Sequence, residues 1–215
     1  MTHNTNVIIF CGLDGSGKTT QAKKLLDYLK SENIPSEYVW LRYPNFFSLP
    51  IAGFLRLFGI SGYPIPEKKK LNGLKNLGNH NLLKKLWIWS LNNDFKFVCK
   101  KKISKPISKG KILVLDRFVI DTVVELIINF DQVDMLTKLS EKFFKFIPDN
   151  SKILFLDIEP KISYERNHEE DLETLEKKKI IYEKICKLSN ISIIDGTKSI
   201  ESIHQEILHE CGFVK

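Results

Sequence analysis

The stretch Gly12-Leu13-Asp14-Gly15-Ser16-Gly17-Lys18-Thr19-Thr20 directly follows the apolar run Val7-Ile8-Ile9-Phe10 and satisfies the pattern G-x-x-x-x-G-K-[ST] at every fixed position. A strand that feeds a glycine-rich turn and then a helix is the setting in which this pattern binds phosphate. Glycines let the backbone wrap an anion with successive N–H groups turned inward, and the positive end of the helix dipole adds to them. Lys18 is then placed to reach the β- and γ-phosphates of a nucleotide, and the Thr19 hydroxyl to ligate Mg²⁺. In the empty loop the lysine is expected to face solvent. The helix that follows shows Ala22, Leu25, Leu26 and Leu29 at i, i+3, i+4 and i+7, with Lys23, Lys24, Asp27 and Lys30 between them. The pattern points to a bound nucleoside triphosphate.

The chain has 215 residues, 43% hydrophobic and 27% charged, which suits one globular domain over residues 1–215. No apolar run approaches the roughly 18 residues of a membrane span. The N-terminal Met1-Thr2-His3-Asn4-Thr5-Asn6 is too polar to read as a signal peptide. A cytoplasmic protein is expected, with no membrane partner. Cys11, Cys99, Cys186 and Cys211 are widely spaced without a C-x-x-C pair, so reduced thiols are expected rather than a disulfide framework or zinc site.

The net charge of +7 rests on 29 lysines against four arginines: Arg42, Arg56, Arg117 and Arg166. A guanidinium offers phosphate a bidentate fork that an ammonium cannot, so the positions that keep arginine are candidates for phosphate contacts, with surface ion pairs as the alternative. The lysine runs Lys68 to Lys70, Lys100 to Lys102 and Lys177 to Lys179 read as solvated faces. No interleaved aromatics mark a nucleic-acid surface.

Short β-rich runs recur at Tyr38 to Leu41, Ile112 to Leu115, Ile153 to Leu156 and Ile191 to Ile194, each separated from the next by helical periodicity. Helical patterns cover Leu82 to about Lys102, Asp121 to Phe130, Asp134 to Ile147, Leu172 to Leu188 and Ile200 to Cys211. The alternation predicts an α/β fold of three layers, a parallel sheet covered on both faces. Gly59 to Pro66 and Asn167 to Asp171 read as loops, either plain connectors or segments that move.

The run Ile112-Leu113-Val114-Leu115 closes on Asp116-Arg117. Open α/β sheets bind ligands at the carboxyl ends of their strands, so Asp116 is expected near Lys18 and Thr19 as a partner for Mg²⁺, with Arg117 toward a transferred or accepting phosphate. A structural ion pair is the alternative. After the second strand comes Arg42-Tyr43-Pro44-Asn45, where proline holds the preceding residue extended and sets Arg42 at the same edge.

In order and spacing, the G-x-D-G-x-G-K-T-T string, the Arg42-Tyr43-Pro44 turn, Asp116-Arg117-Phe118 and Leu156-Asp157-Ile158-Glu159-Pro160 resemble the thymidylate kinase family along most of the chain. The resemblance implies the five-stranded parallel sheet of P-loop nucleoside monophosphate kinases, usually a homodimer. It implies transfer of the γ-phosphoryl group of Mg-ATP to a nucleoside 5′-monophosphate, most simply dTMP to dTDP. By the same resemblance the loop from Gly12 through Asp14, Gly15, Ser16, Gly17, Lys18, Thr19 and Thr20 holds ATP, and Gly196 and Thr197 lie along adenine. Asp14 approaches the sugar 3′-OH, Arg42 and Arg117 hold the acceptor phosphate beside Pro44, and Asp116 orients Mg²⁺ or acceptor.

The departures concern catalysis and the acceptor pocket. The family's catalytic arginine, in the loop or in a lid, is missing from Gly15 and from the short lid at about 166–171, except for Arg166 at its entrance. Where the family stacks an aromatic on thymine and places an arginine four residues on, the chain offers Trp87, Trp89, Asn92 and Asn93 with no arginine near; Trp89 and Asn93 are favoured, with interior packing the alternative for Trp89. A serine and a ribose-crowding aromatic are replaced by Asp121 and Glu125, which read either as acceptors of a 2′-hydroxyl or as solvated helix residues. A P-loop kinase for another nucleotide, nucleoside or phosphorylated acceptor, and a nucleotide-binding protein with weak transfer, remain alternatives.

Overall fold

The computed structural model describes residues 5–41, 46–48, 50–51 and 81–214. The first strand, β1 (Val7–Cys11), is wholly buried, and α1 (Lys18–Ser31) follows the glycine-rich loop. Next come β2 (Ser36–Trp40), α2 (Asn81–Val98), β3 (Ile112–Asp116), α3 (Val119–Phe130), α4 (Leu136–Phe144) and β4 (Ser151–Asp157). The chain ends with α5 (Pro160–Arg166), α6 (Leu172–Leu188), β5 (Ser192–Asp195) and α7 (Ile200–Glu210). All pairings are parallel, in the order β2-β3-β1-β4-β5.

Period-two alternation along β1 explains the layers. Ile8 and Phe10 pack with Ala22, Leu25 and Leu29 of α1 and with Ile203 and Ile207 of α7. Val7, Ile9 and Cys11 face the other way, into a core shared with α2, α3, α4 and α6. A strand buried on both faces must be apolar throughout, which is why β1 and β3 read as continuous runs.

All five expected strands are present with ends displaced by up to two residues, and α6 spans the stretch expected of it. The segment read as one helix to Lys102 is α2 followed by a π-helical stretch at Cys99–Ser104 and a short α-turn at Lys105–Ile107. Pro106, which has no N–H to donate, lies just beyond the π-helical stretch. The helix expected from Asp134 is a 3₁₀ turn at Val133–Met135 leading into α4. The loop expected at Gly59 to Pro66, together with Arg42, Pro44 and Arg56, lies outside the described residues.

The register sets the carboxyl edge. Phe10 and Trp40 both pair with Asp116, Cys11 with Phe155, and Asp157 with Asp195, so β3, β4 and β5 each end in an aspartate at that edge. The strand order reverses at β1, between β3 and β4, and the phosphate loop leaves the sheet there.

Candidate active site

α1 opens without a side-chain cap, from Gly17 in the left-handed region at φ 90°. That leaves the first-turn amides available to an anion. Lys18 departs from the sequence reading: it is 4% exposed rather than solvent-facing. Its ammonium donates to the Gly12 carbonyl at 2.8 Å, the Leu13 carbonyl at 2.6 Å and Ser16 Oγ at 3.3 Å. A buried ammonium needs acceptors, and the loop's own carbonyls are in reach.

Asp116 is fully buried. Its Oδ2 accepts hydrogen bonds from Thr19 Oγ1 at 2.5 Å and from the Tyr38 hydroxyl at 2.8 Å. Burial, and then the hydrogen bond and charge of Asp116, push the Tyr38 phenol up, so it serves as a proton donor at ordinary pH. Asp116 Oδ1 is buried with no hydrogen-bond partner among the described residues. A carboxylate oxygen left open beside a threonine hydroxyl is a hard-oxygen donor set suited to Mg²⁺.

Arg117 begins the turn into α3 at φ 68°, an uncommon conformation for a residue with a side chain, with its N–H held by the Phe10 carbonyl at 3.0 Å. Its guanidinium pairs with the Asp14 carboxylate and lies 3.6 Å from Asp121. Asp121 Oδ1 accepts from the Tyr182 hydroxyl at 2.9 Å, and the Tyr182 ring stacks on Phe155. Burial pushes the Asp121 carboxyl up, against the lowering effects of Arg117, Lys18 and the Tyr182 hydroxyl.

Neither Asp121 nor Glu125 is a solvated helix residue; both are buried. Glu125 meets Lys178 of α6 at 2.5 Å, and the same ammonium meets Glu170 at 2.7 Å. The lysine run at 177–179 is therefore not a solvated face: Lys177 is exposed, but Lys178 is 5% exposed and Lys179 pairs with Asp157. Consecutive helical residues point about 100° apart, and Lys178 falls on the stripe of Leu175, Tyr182 and Ile185 that faces the core. A lysine within that apolar period was the signal available in the sequence.

The phosphate loop is closed on one side by α5. Arg166 Nη1 donates to the Gly15 carbonyl at 3.2 Å, and the Ser163 hydroxyl to the Asp14 carbonyl at 2.5 Å. Gly15 has φ +80°, and a Cβ there would lie 3.2 Å from Arg166 Cβ and 3.3 Å from the Ser163 carbonyl. Glycine is needed at this position for both conformation and room. A cavity of about 260 Å³ opens between Gly15, Gly17, Thr20, Arg166, Gly196 and Lys198. Thr197 is turned to its own loop, its N–H and hydroxyl both donating to Asp195, which holds that carboxyl below its usual range. Sequence reasoning missed Lys198, Ser163, Tyr38 and Tyr182.

On α2, Trp87 packs in the core while Trp89 is 55% exposed, so interior packing does not account for Trp89. Asn93 donates its side-chain amide to the Trp89 carbonyl one turn back. Asp94 beside it is buried and accepts from the backbone N–H groups of Phe46, Phe47 and Ser48, fixing that stretch against α2.

The thymidylate kinase family model matches residues 89–207, which include β3, Asp116-Arg117, α5 and α6. Among curated relatives, a thymidylate kinase of Leptospira interrogans is 30% identical, over 94% of this chain and 91% of that protein. One of Plasmodium falciparum is 28% identical over 97% and 90%, and one of Symbiobacterium thermophilum 24% identical over 93% and 89%. These pairwise matches span the phosphate loop that the family model does not reach. With the model matching more than half of the sequence, and 30% identity sustained along nearly all of it, the chain belongs to the thymidylate kinase family.

Proposed function

We propose that the chain is an ATP-dependent thymidylate kinase, transferring the γ-phosphoryl group of ATP to dTMP to give dTDP and ADP. The observation that carries this reading is Asp116, whose buried carboxylate binds the phosphate-loop Thr19 with one oxygen and leaves the other open, next to an arginine already gripping a carboxylate. Lys18 exchanges the loop carbonyls for oxygens of the transferred group, and Arg117 exchanges Asp14 for the acceptor phosphate. Both exchanges replace one set of charge-assisted bonds by another, so they are inexpensive. Asp14, once released, is free to approach the sugar. Phosphoryl transfer depends on positioning and charge neutralisation, which these residues supply. Thr19 and Asp116 would hold Mg²⁺, whose chemistry there is to offset phosphate charge. Arg166, beside Gly15, is the guanidinium closest to the role of a lid arginine.

The remaining assignments belong to the same reading. One kinase domain spans residues 1–215, with its short lid at about 166–171. ATP lies along Gly196 and Thr197, and Arg42 and Pro44 form part of the acceptor site with Trp89 and Asn93. A homodimer, which the family resemblance implies, belongs to the same reading. None of the described helices is long and apolar enough to cross a membrane, which is compatible with a cytoplasmic enzyme.

ADP release measured across nucleoside monophosphates and nucleosides, with and without Mg²⁺, tests the reading. Highest kcat/KM for dTMP is expected, and no ADP release with any of the acceptors would leave a nucleotide-binding protein instead. Comparing dTMP with UMP asks whether Asp121 and Glu125, which do not crowd as an aromatic would, permit ribose.

The arginines give a second measurement. Arg117→Lys keeps the charge and loses the fork, so kcat/KM for the acceptor should fall about tenfold or more. Arg42→Lys should behave in the same way, and Arg56→Lys should be close to silent. An equal response from all three would overturn the argument from arginine scarcity.

A further inference from the structure

A helical serine usually satisfies its hydroxyl on a carbonyl one turn back in its own helix. Ser163 does not. It is fully buried on α5, and its hydroxyl crosses to the Asp14 carbonyl at 2.5 Å, 149 residues away in sequence. The partner is the carbonyl that precedes Gly15 inside the phosphate loop.

The Asp14–Gly15 peptide is trans, so its C=O and N–H point in opposite directions. Tethering the carbonyl to α5 turns the Gly15 N–H away from α5. Gly15 has no Cβ to restrict rotation of that peptide, and φ +80° places it where many alternatives are close in energy. Its second peptide is tethered too, through Arg166 and the Gly15 carbonyl. α5 itself is seven residues long, too short to be stable without its neighbours, so its position is set by what it touches. On its far side the segment leading to α6 is anchored by Glu170 on Lys178.

We propose that Ser163 is a positioning residue for phosphoryl transfer: by holding the Asp14 carbonyl it fixes the Asp14–Gly15 peptide, and so aims the Gly15 N–H at the phosphates of the bound nucleotide. The Asp14 side chain, separately, engages Arg117. This inference rests on the kinase reading for its effect on kcat, but not for its effect on nucleotide binding.

The test uses the full-length chain and the variants Ser163→Ala and Ser163→Thr, with kcat, KM for dTMP, affinity for Mg-ATP and Tm measured on each. Ser163→Ala should lower kcat about tenfold and weaken Mg-ATP several-fold, since misplacing one oriented donor by a fraction of an ångström has effects of that order. KM for dTMP should stay close to the parent, and Tm should fall by only a few degrees, as for the loss of one buried hydrogen bond. Ser163→Thr restores a hydroxyl and should return kcat to within about threefold. Unchanged kcat and Mg-ATP affinity in Ser163→Ala, or equal losses in both variants in step with a fall in Tm, would reduce Ser163 to a packing residue. If the parent binds Mg-ATP but transfers to no acceptor, the kinase reading fails. The affinity ratio of parent to Ser163→Ala then still decides the inference.

Discussion

Replacing Lys18 by alanine is expected to lower kcat by at least about 10²-fold, the effect of removing one oriented donor from a reacting oxyanion. The ammonium of Lys18 spends the resting state on the Gly12 and Leu13 carbonyls, so it is held inside the phosphate loop before any substrate arrives. Its transfer to phosphate oxygens is worth most where charge builds up, which places the loss in kcat rather than in KM for the acceptor. The Gly12 carbonyl keeps the Tyr182 hydroxyl at 3.2 Å, which limits relaxation of the empty loop. Coupled ADP release together with a melting curve separates the two effects. Near-normal turnover in a folded Lys18→Ala protein would remove the phosphate loop from the mechanism.

The second large effect is on stability. Lys178 is buried between Glu125 and Glu170, and removing one partner of a buried charge cluster typically costs about 3–5 kcal/mol. Lys178→Met should therefore lower Tm by roughly 10 °C in a chain of this size. Glu170 Oε2 already lacks a hydrogen-bond partner among the described residues, so Glu170 is poorly equipped to lose the ammonium. Adding Glu170→Gln and Glu125→Gln to Lys178→Met should recover much of the loss, because amides need no counter-charge. Thermal unfolding of the single and triple variants reads this directly. A single variant as stable as the parent would show that the cluster contributes nothing net. The same cluster means that an aromatic at position 125 would break an ion pair as well as reshape a pocket, so sugar preference is better read in the parent.

Much of this molecule is legible along the chain because its signals are local. β1 and β3 are continuous apolar runs because both faces of each are covered, and α1 and α6 show their buried stripes at helical spacing. The phosphate loop is a contiguous string whose glycines and lysine act together by covalent adjacency. Asp116 and Arg117 close a strand, and a strand's end is also the sheet's carboxyl edge, so one local reading carried them to the site.

The contacts that turn these parts into a site are long-range, and no period or spacing encodes them. Thr19 meets Asp116, Asp14 meets Arg117, Lys178 meets Glu125, and Ser163 meets the Asp14 carbonyl, at sequence separations of 97, 103, 53 and 149. A charged residue reads as solvated until the sheet order and helix faces decide which side of α6 or α3 is covered. Lys178 was then forced onto Glu125 and Glu170, and Asp121 onto Arg117 and Tyr182, because a buried charge without a partner is costly. The sequence by itself determined the parallel three-layer architecture, the glycine-rich loop and the sheet edge from which it leaves, all set by local patterning. Which cation holds which carboxylate, and which helix braces the loop, was decided only when packing desolvated those groups and brought their partners within reach.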